Sequence, residues 1–168
     1  TRSPRPGEAD GREYFFMTNE QFEELIETNR LIEYARYVNH YYGTPSSYVE
    51  EMMAQGKDVI LEIEIQGALK VKEKYPEAVL IFVVPPAAID LKARLMGRGT
   101  ETEEVIEKRL KRALEESEGM DSYDYILVND TIETCVEELH GLIRSQHLKA
   151  CRNQERISRM KEELRELV

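Results

Sequence analysis

A chain of 168 residues, 41% hydrophobic and 33% charged, can bury one sizeable core and is not composed like a disordered chain. Its net charge of −10 works against non-specific binding to DNA or RNA, so locally clustered arginines suit a small anionic ligand better than a polyanion. No apolar run approaches bilayer length, no signal peptide is legible, and the two cysteines form no C-x-x-C, so reduced thiols in a cytoplasmic compartment are expected.

The first segment, TRSPRPGEADGREYFFM, places Arg2 and Arg5 three residues apart on backbone kept out of helix by Pro4, Pro6, Gly7 and Gly11. It ends in the strand-like aromatics Tyr14, Phe15 and Phe16. Residues 18–26 predict a short helix, with Thr18 and Gln21 as a capping box and Phe22, Leu25 and Ile26 at helical spacing. Residues 31–38 alternate as a strand, and residues 39–45, NHYYGTP, predict a tyrosine-rich turn. Residues 48–55 read as a helix closed by Gly56.

In residues 58–66, DVILEIEIQ, the apolar Val59, Leu61, Ile63 and Ile65 face one way and Ile60, Glu62 and Glu64 the other, which predicts a strand. Residues 67–74 follow as helix. Residues 78–84, AVLIFVV, predict a central parallel strand buried on both faces and stopped by Pro85-Pro86. A helix is expected at 89–96, broken by Gly97 and Gly99. A charged helix, opened by a Thr100–Glu103 capping box, should run to about Ser117. Residues 123–128 are a third core strand, and the chain then reads as helix from Ile132 to its end. This alternation predicts an α/β fold with a parallel sheet and helices on both faces.

Four constellations carry chemistry. Arg2 and Arg5 offer paired donors that fit the oxygens of one phosphate, with Glu8, Tyr14 and Tyr42 placed to hold the arginines or to donate hydroxyls; the same segment also reads as an ordinary basic tail. Glu33, on the polar face of its strand, is either a solvated residue or a base reader. A carboxylate matches the adjacent N1–H and 2-amino donors of guanine, which adenine lacks, and Thr44 is placed to donate to O6. Glu62 and Glu64 share one face near the end of a core strand, where ligands bind in open α/β sheets and where a buried carboxylate needs a function. Arg94, Arg98 and Arg109 lie around the Gly97 and Gly99 hinges, as in a lid closing over a transferred phosphoryl group; a solvated, salt-bridged helix is the plainer reading. The scattered His40, His140 and His147 suggest no metal site within the chain, and the tyrosines between Tyr34 and Tyr48 lack the basic stripe of an RNA-stacking platform.

Together these residues resemble the guanylate kinase family. T-R-x-x-R-x-x-E-x-x-G-x-x-Y-x-F matches residues 1–16. N-x-Y-Y-G-T, L-x-I-x-x-Q-G, P-P and R-L-x-G-R-G-T-E follow in order, then K-R-L at 108–110 and V-N-D at 128–130. The resemblance implies a P-loop NTPase-like fold and an ATP:GMP phosphotransferase of purine nucleotide metabolism that uses Mg2+ with ATP. It implies that Arg2, Arg5, Tyr14 and Tyr42, backed by Glu8, hold the GMP phosphate, and that Glu33 and Thr44 read guanine. It sets Glu62 and Glu64 near the guanine and metal region, Arg94, Arg98 and Arg109 in the ATP lid, and Asn129 beside adenine. The implied parts are a GMP-binding lobe (1–47), a core (48–88 and 118–168) and a lid (89–117).

Two departures stand out. The family usually has Asp where this chain has Glu64. No G-x-x-x-x-G-K-[ST] phosphate loop occurs, so a strand–loop–helix of about 30–35 residues is expected to precede Thr1. The chain as written is then expected to be inactive and the intact protein active. A non-catalytic guanylate-kinase-like module that binds GMP or phosphorylated proteins is the rival. Expected partners are GMP and ATP, with no nucleic acid polymer and no membrane. Ile157, Met160, Leu164 and Leu167 predict an apolar stripe that docks on the core or on a second copy as a homodimer.

Overall fold

The computed structural model describes residues 1–37, 39–97 and 102–168. It divides into two compact units, Thr1–Leu80 and Ile81–Val168, each with its own two-stranded sheet.

In the first unit, helix α1 (Asn19–Glu27) starts where the sequence predicts, with the Thr18–Gln21 capping box formed in both directions. Its Phe22 is buried and stacks on Tyr41, ring centroids 5.2 Å apart. Strands β1 (Leu31–Tyr37) and β2 (His40–Pro45) pair antiparallel, with Tyr34 opposite Gly43, Ala35 opposite Tyr42 and a register shift between Leu31 and Tyr34. Residues 40–45 are therefore a strand and not the expected turn. Gly and Pro gave the turn signal, but β1 supplies a ladder that satisfies this backbone. Val38, the expected end of β1, lies outside the described residues.

Helix α2 (Ser46–Ala54) ends before Gly56, whose φ of 74° turns the chain. The expected strand over 58–66 is not formed: residues 57–64 are extended but join no ladder among the described residues, and helix α3 (Ile65–Lys74) begins at Ile65. The burial alternation holds all the same. Val59, Leu61 and Ile63 pack on the cluster of Ile32, Val49 and Val71, while Ile60 is 68% exposed. Side-chain alternation needs only extended backbone, whereas a strand needs a neighbour to bond. Helix α3 packs on β1, an arrangement that matters for Glu33.

In the second unit, β3 (Ile81–Val84) and β4 (Tyr125–Val128) pair parallel, as the alternation of elements predicts, with Ile81 opposite Tyr125 and Val84 opposite Val128. Leu127 is buried, but Val83, its partner in the pair, is 52% exposed, so the strand expected to be buried on both faces is only partly covered. Helix α4 (Ala88–Gly97) packs on α5 (Glu103–Ser117), and α6 (Ile132–His147) packs on β4. Thr102 is the N-cap residue of α5, without a side-chain bond; Thr100, expected to cap it, lies outside the described residues with Gly99. The expected single final helix is broken by a 3-10 turn at Ala150–Arg152, after which α7 (Gln154–Glu166) runs with Met160, Leu164 and Leu167 exposed. No helix among the described residues is long and apolar enough to cross a membrane.

Candidate functional site

The opening segment is folded by its own glycines and acids. Gly7 (φ 88°) and Gly11 (φ 76°) turn the chain in the left-handed region. The Phe16 N–H donates to Asp10 Oδ1 at 2.7 Å, so Tyr14–Phe16 are held by a side chain and not by a strand; one isolated bridge joins Asp10 to Tyr14. Glu8 is the organiser. Both of its oxygens accept from the Arg2 guanidinium at 2.7 Å, and one also accepts the Arg5 backbone N–H at 2.7 Å. The Arg2 hydrogen bonds, then that of Arg5, hold the Glu8 carboxyl down at about 2.

Arg2 also lies 5.2 Å from the Tyr14 ring centroid and 5.6 Å from that of Phe16, and Tyr14 meets Tyr42 edge-on at 6.1 Å. The structure therefore brings together Arg2, Glu8, Tyr14 and Tyr42. Arg5 is exposed, and its guanidinium has no hydrogen bond or ion pair among the described residues. A cavity of about 200 Å³ opens beside Arg2, Tyr14 and Tyr42 and is walled by Phe22, Tyr41 and Tyr48.

Glu33 is not a solvated strand residue. It is 6% exposed, because α3 covers its face of β1. Thr44 on β2 donates its hydroxyl to Glu33 Oε1 at 2.7 Å, so these two residues, paired in the sequence reading, meet in space. Burial pushes the Glu33 carboxyl above its ordinary value; the Thr44 hydrogen bond and the Lys70 charge oppose that rise. Two neighbours were not read from the sequence. Gly67 approaches so closely that a Cβ there would lie 2.9 Å from Glu33 Oε2. Lys70 places its ammonium 5.3 Å from the Tyr34 ring centroid. The available signal was a glycine in the first turn of a helix, where it adds no stability of its own.

Glu62 and Glu64 are both exposed, which corrects the expectation of buried carboxylates. They occupy the outward side of the extended segment whose inward side is Val59, Leu61 and Ile63. Glu64 is the residue on which α3 starts.

In the second unit, Arg94 on α4 donates to the carbonyls of Asn129 (2.8 Å) and Asp130 (3.3 Å), and the Asn129 N–H bonds to the Val84 carbonyl (2.8 Å). Two motifs 35 residues apart thus meet. Arg109 is half-buried on α5, and Arg98 lies outside the described residues. No group of three or more His, Cys, Asp or Glu side chains that could hold a metal occurs among the described residues. They do not build a cage for Mg2+, an ion that commonly keeps waters and nucleotide phosphates as ligands.

The family model described as guanylate kinase matches residues 1–146. A guanylate kinase of Oceanobacillus iheyensis is 54% identical over 149 residues, 89% of this chain and 72% of the relative. One of Bacillus cereus is 49% identical over 166 residues, covering 99% and 79%. The crystal structure of guanylate kinase from Anaplasma phagocytophilum superposes with a TM-score of 0.73 at 33% identity, over 90% of this chain and 74% of that one. These relatives favour the enzyme over the non-catalytic module. With its motifs in order and its parallel α/β unit in place, the chain belongs to the guanylate kinase family.

Proposed function

We infer that this protein transfers the γ-phosphoryl group of ATP to GMP, giving ADP and GDP. A GMP phosphate oxygen attacks the γ-phosphorus in line. One P–O bond forms to GMP while the bond to the β,γ-bridging oxygen breaks and its electrons leave with ADP. Both reactants are anions, so the protein's work is to position them and offset their repulsion. Mg2+ belongs to this reading as the ATP-bound ion, arriving with the substrate.

The first unit carries the acceptor-nucleotide residues. Arg2 is pre-aimed by Glu8, and Arg5 supplies a second guanidinium to the phosphate, with Tyr14 and Tyr42 as hydroxyl donors. Glu33 accepts from guanine N1–H and the 2-amino group, and Thr44 swings its single O–H from Glu33 Oε1 to O6 as the base binds. Glu62 and Glu64 belong to the guanine and metal region. Arg94, Arg98 and Arg109 belong to the ATP lid and Asn129 to the adenine side. The parts are a GMP lobe (1–47), a lid (89–117) and a core from the rest. Cys135 and Cys151, which form no disulfide, support a cytoplasmic setting.

The observation that carries the substrate reading is the buried Glu33 carboxylate held by Thr44. The test is turnover of the intact protein with ATP, Mg2+ and either GMP or AMP. GMP is the expected acceptor, and Glu33→Gln should lower its kcat/KM while shrinking the preference for GMP. An unchanged preference in that variant overturns the base-reading role.

A further inference from the structure

A buried carboxylate that reads guanine must be both ionised and aimed, and Thr44 satisfies only one of its oxygens. The remaining support comes from α3. Gly67 and Lys70 are three residues apart and share the face of α3 that meets β1. Gly67 leaves room for Oε2 where a Cβ would lie 2.9 Å from it. Lys70 holds its ammonium over the ring of Tyr34, the next residue to Glu33 on β1, and Tyr34 is itself packed edge-on against Phe22 at 6.5 Å. The neighbouring lysines of α3 are engaged elsewhere, Lys72 on the Ala78 carbonyl (2.6 Å) and Lys74 on the Ser46 hydroxyl (3.3 Å).

Building on the guanine-reading role of Glu33, we propose that Lys70 is a positioning residue for base recognition: seated on Tyr34, it supplies the counter-charge that keeps Glu33 an aimed carboxylate without touching the base. The arrangement solves a conflict. A direct salt bridge would occupy the carboxylate lone pairs that the base must use, and Lys70 forms none with Glu33. A cation held on an aromatic ring acts through space and leaves the lone pairs of Oε2 without a donor from Lys70. Lys70 opposes the effect of burial on Glu33, as does the Thr44 hydroxyl.

The test uses Lys70→Met, which keeps the aliphatic stem, and Lys70→Arg, which keeps the charge, in the intact protein. Calorimetry measures GMP and IMP affinity from pH 6 to 9; IMP lacks the 2-amino group and so draws less on Glu33. Lys70→Met should weaken GMP about three- to tenfold at the acid end of the range, weaken IMP less, and matter less as pH rises. Lys70→Arg should stay within about twofold of wild type. Equal weakening of GMP and IMP at every pH, or no weakening, overturns the proposal. Glu33→Gln separates the two layers. If that variant keeps the preference for GMP over IMP, the guanine-reading role fails and the proposal with it. If it loses the preference while Lys70→Met retains it at all pH values, only the role of Lys70 is refuted.

Discussion

Two glycine-to-alanine substitutions should separate recognition from stability in the GMP lobe. At Gly67, a Cβ would lie 2.9 Å from Glu33 Oε2, and ordinary contact begins near 3.4 Å, so the carboxylate must retreat by about 0.5 Å. The atom that yields is the end of a side chain, so the fold survives. Alanine also improves the helix, by up to about 0.5–1 kcal/mol. The aim of the carboxylate does not survive, because hydrogen bonds tolerate only a few tenths of an ångström. Losing one charge-assisted bond costs about 1.5–3 kcal/mol, or roughly ten- to a hundredfold in GMP affinity. At Gly43 the same Cβ would meet the Glu33 carbonyl oxygen at 2.8 Å, Phe22 Cζ at 2.9 Å and Tyr34 Cβ at 3.0 Å. Backbone and a buried ring cannot step aside, so Gly43→Ala should destabilise by about 1–3 kcal/mol. At this chain length that lowers Tm by roughly 2–4 °C per kcal/mol. Urea midpoints and GMP calorimetry on both variants give the answer. Gly67→Ala with wild-type GMP affinity, or Gly43→Ala with wild-type stability, refutes the close approaches from which the argument is built.

Glu8 and Glu33 should give opposite pH slopes of stability. Glu8 falls from an ordinary 4.5 to about 2, so its contribution is complete above pH 4.5 and is lost as pH drops toward 2; Glu8→Gln should destabilise at pH 6 and converge on wild type at pH 2. Glu33 is raised, so its cost is absent below pH 4.5 and grows as pH rises through its folded value. Glu33→Gln should match wild type in acid and gain on it at neutral pH, as read by urea midpoints. Arg94→Lys keeps a charge but cannot span the Asn129 and Asp130 carbonyls; KM for ATP should rise roughly tenfold while KM for GMP stays within about twofold, measured by steady-state kinetics.

The local grammar of this fold was legible. The Thr18 cap, the helix stop before Gly56, the parallel pairing of β3 with β4, and the inward side of residues 57–64 all follow from propensity and period. So did the grouping of Arg2 with Glu8 and Tyr14, because those residues are close in sequence and the glycines between them dictate turns. What failed depended on distant partners. Residues 40–45 became a strand because β1 was there to bond them, while residues 57–64 found no ladder among the described residues despite a better strand pattern. Burial was misjudged at Glu62 and Glu64 and left open at Glu33 for the same reason. Alternation says which residues share a face but not which face is covered, so Glu33 ended under α3 while Glu62 and Glu64 pointed outward. The same long-range blindness hid Gly67, whose reason for being glycine is a carboxylate 34 positions earlier.

The two opening arginines then divide their labour by donor count. A guanidinium has five N–H groups. Arg2 spends two nitrogens on Glu8 and a further bond on the Ser3 carbonyl at 2.9 Å, and its Cζ lies 5.2 Å from the Tyr14 ring centroid. It has few donors left to give, but its orientation is fixed before any ligand arrives, so little conformational entropy remains to be lost on binding. Arg5 has its full set and is exposed, so it can follow a phosphate as the anion settles, at the cost of ordering a long side chain. The same Glu8 carboxylate ties down the backbone of Arg5 and leaves its side chain to move. A site made of two clamped arginines would lack spare donors, and one made of two mobile ones would be costly to order. One of each, joined through a single acid, avoids both faults.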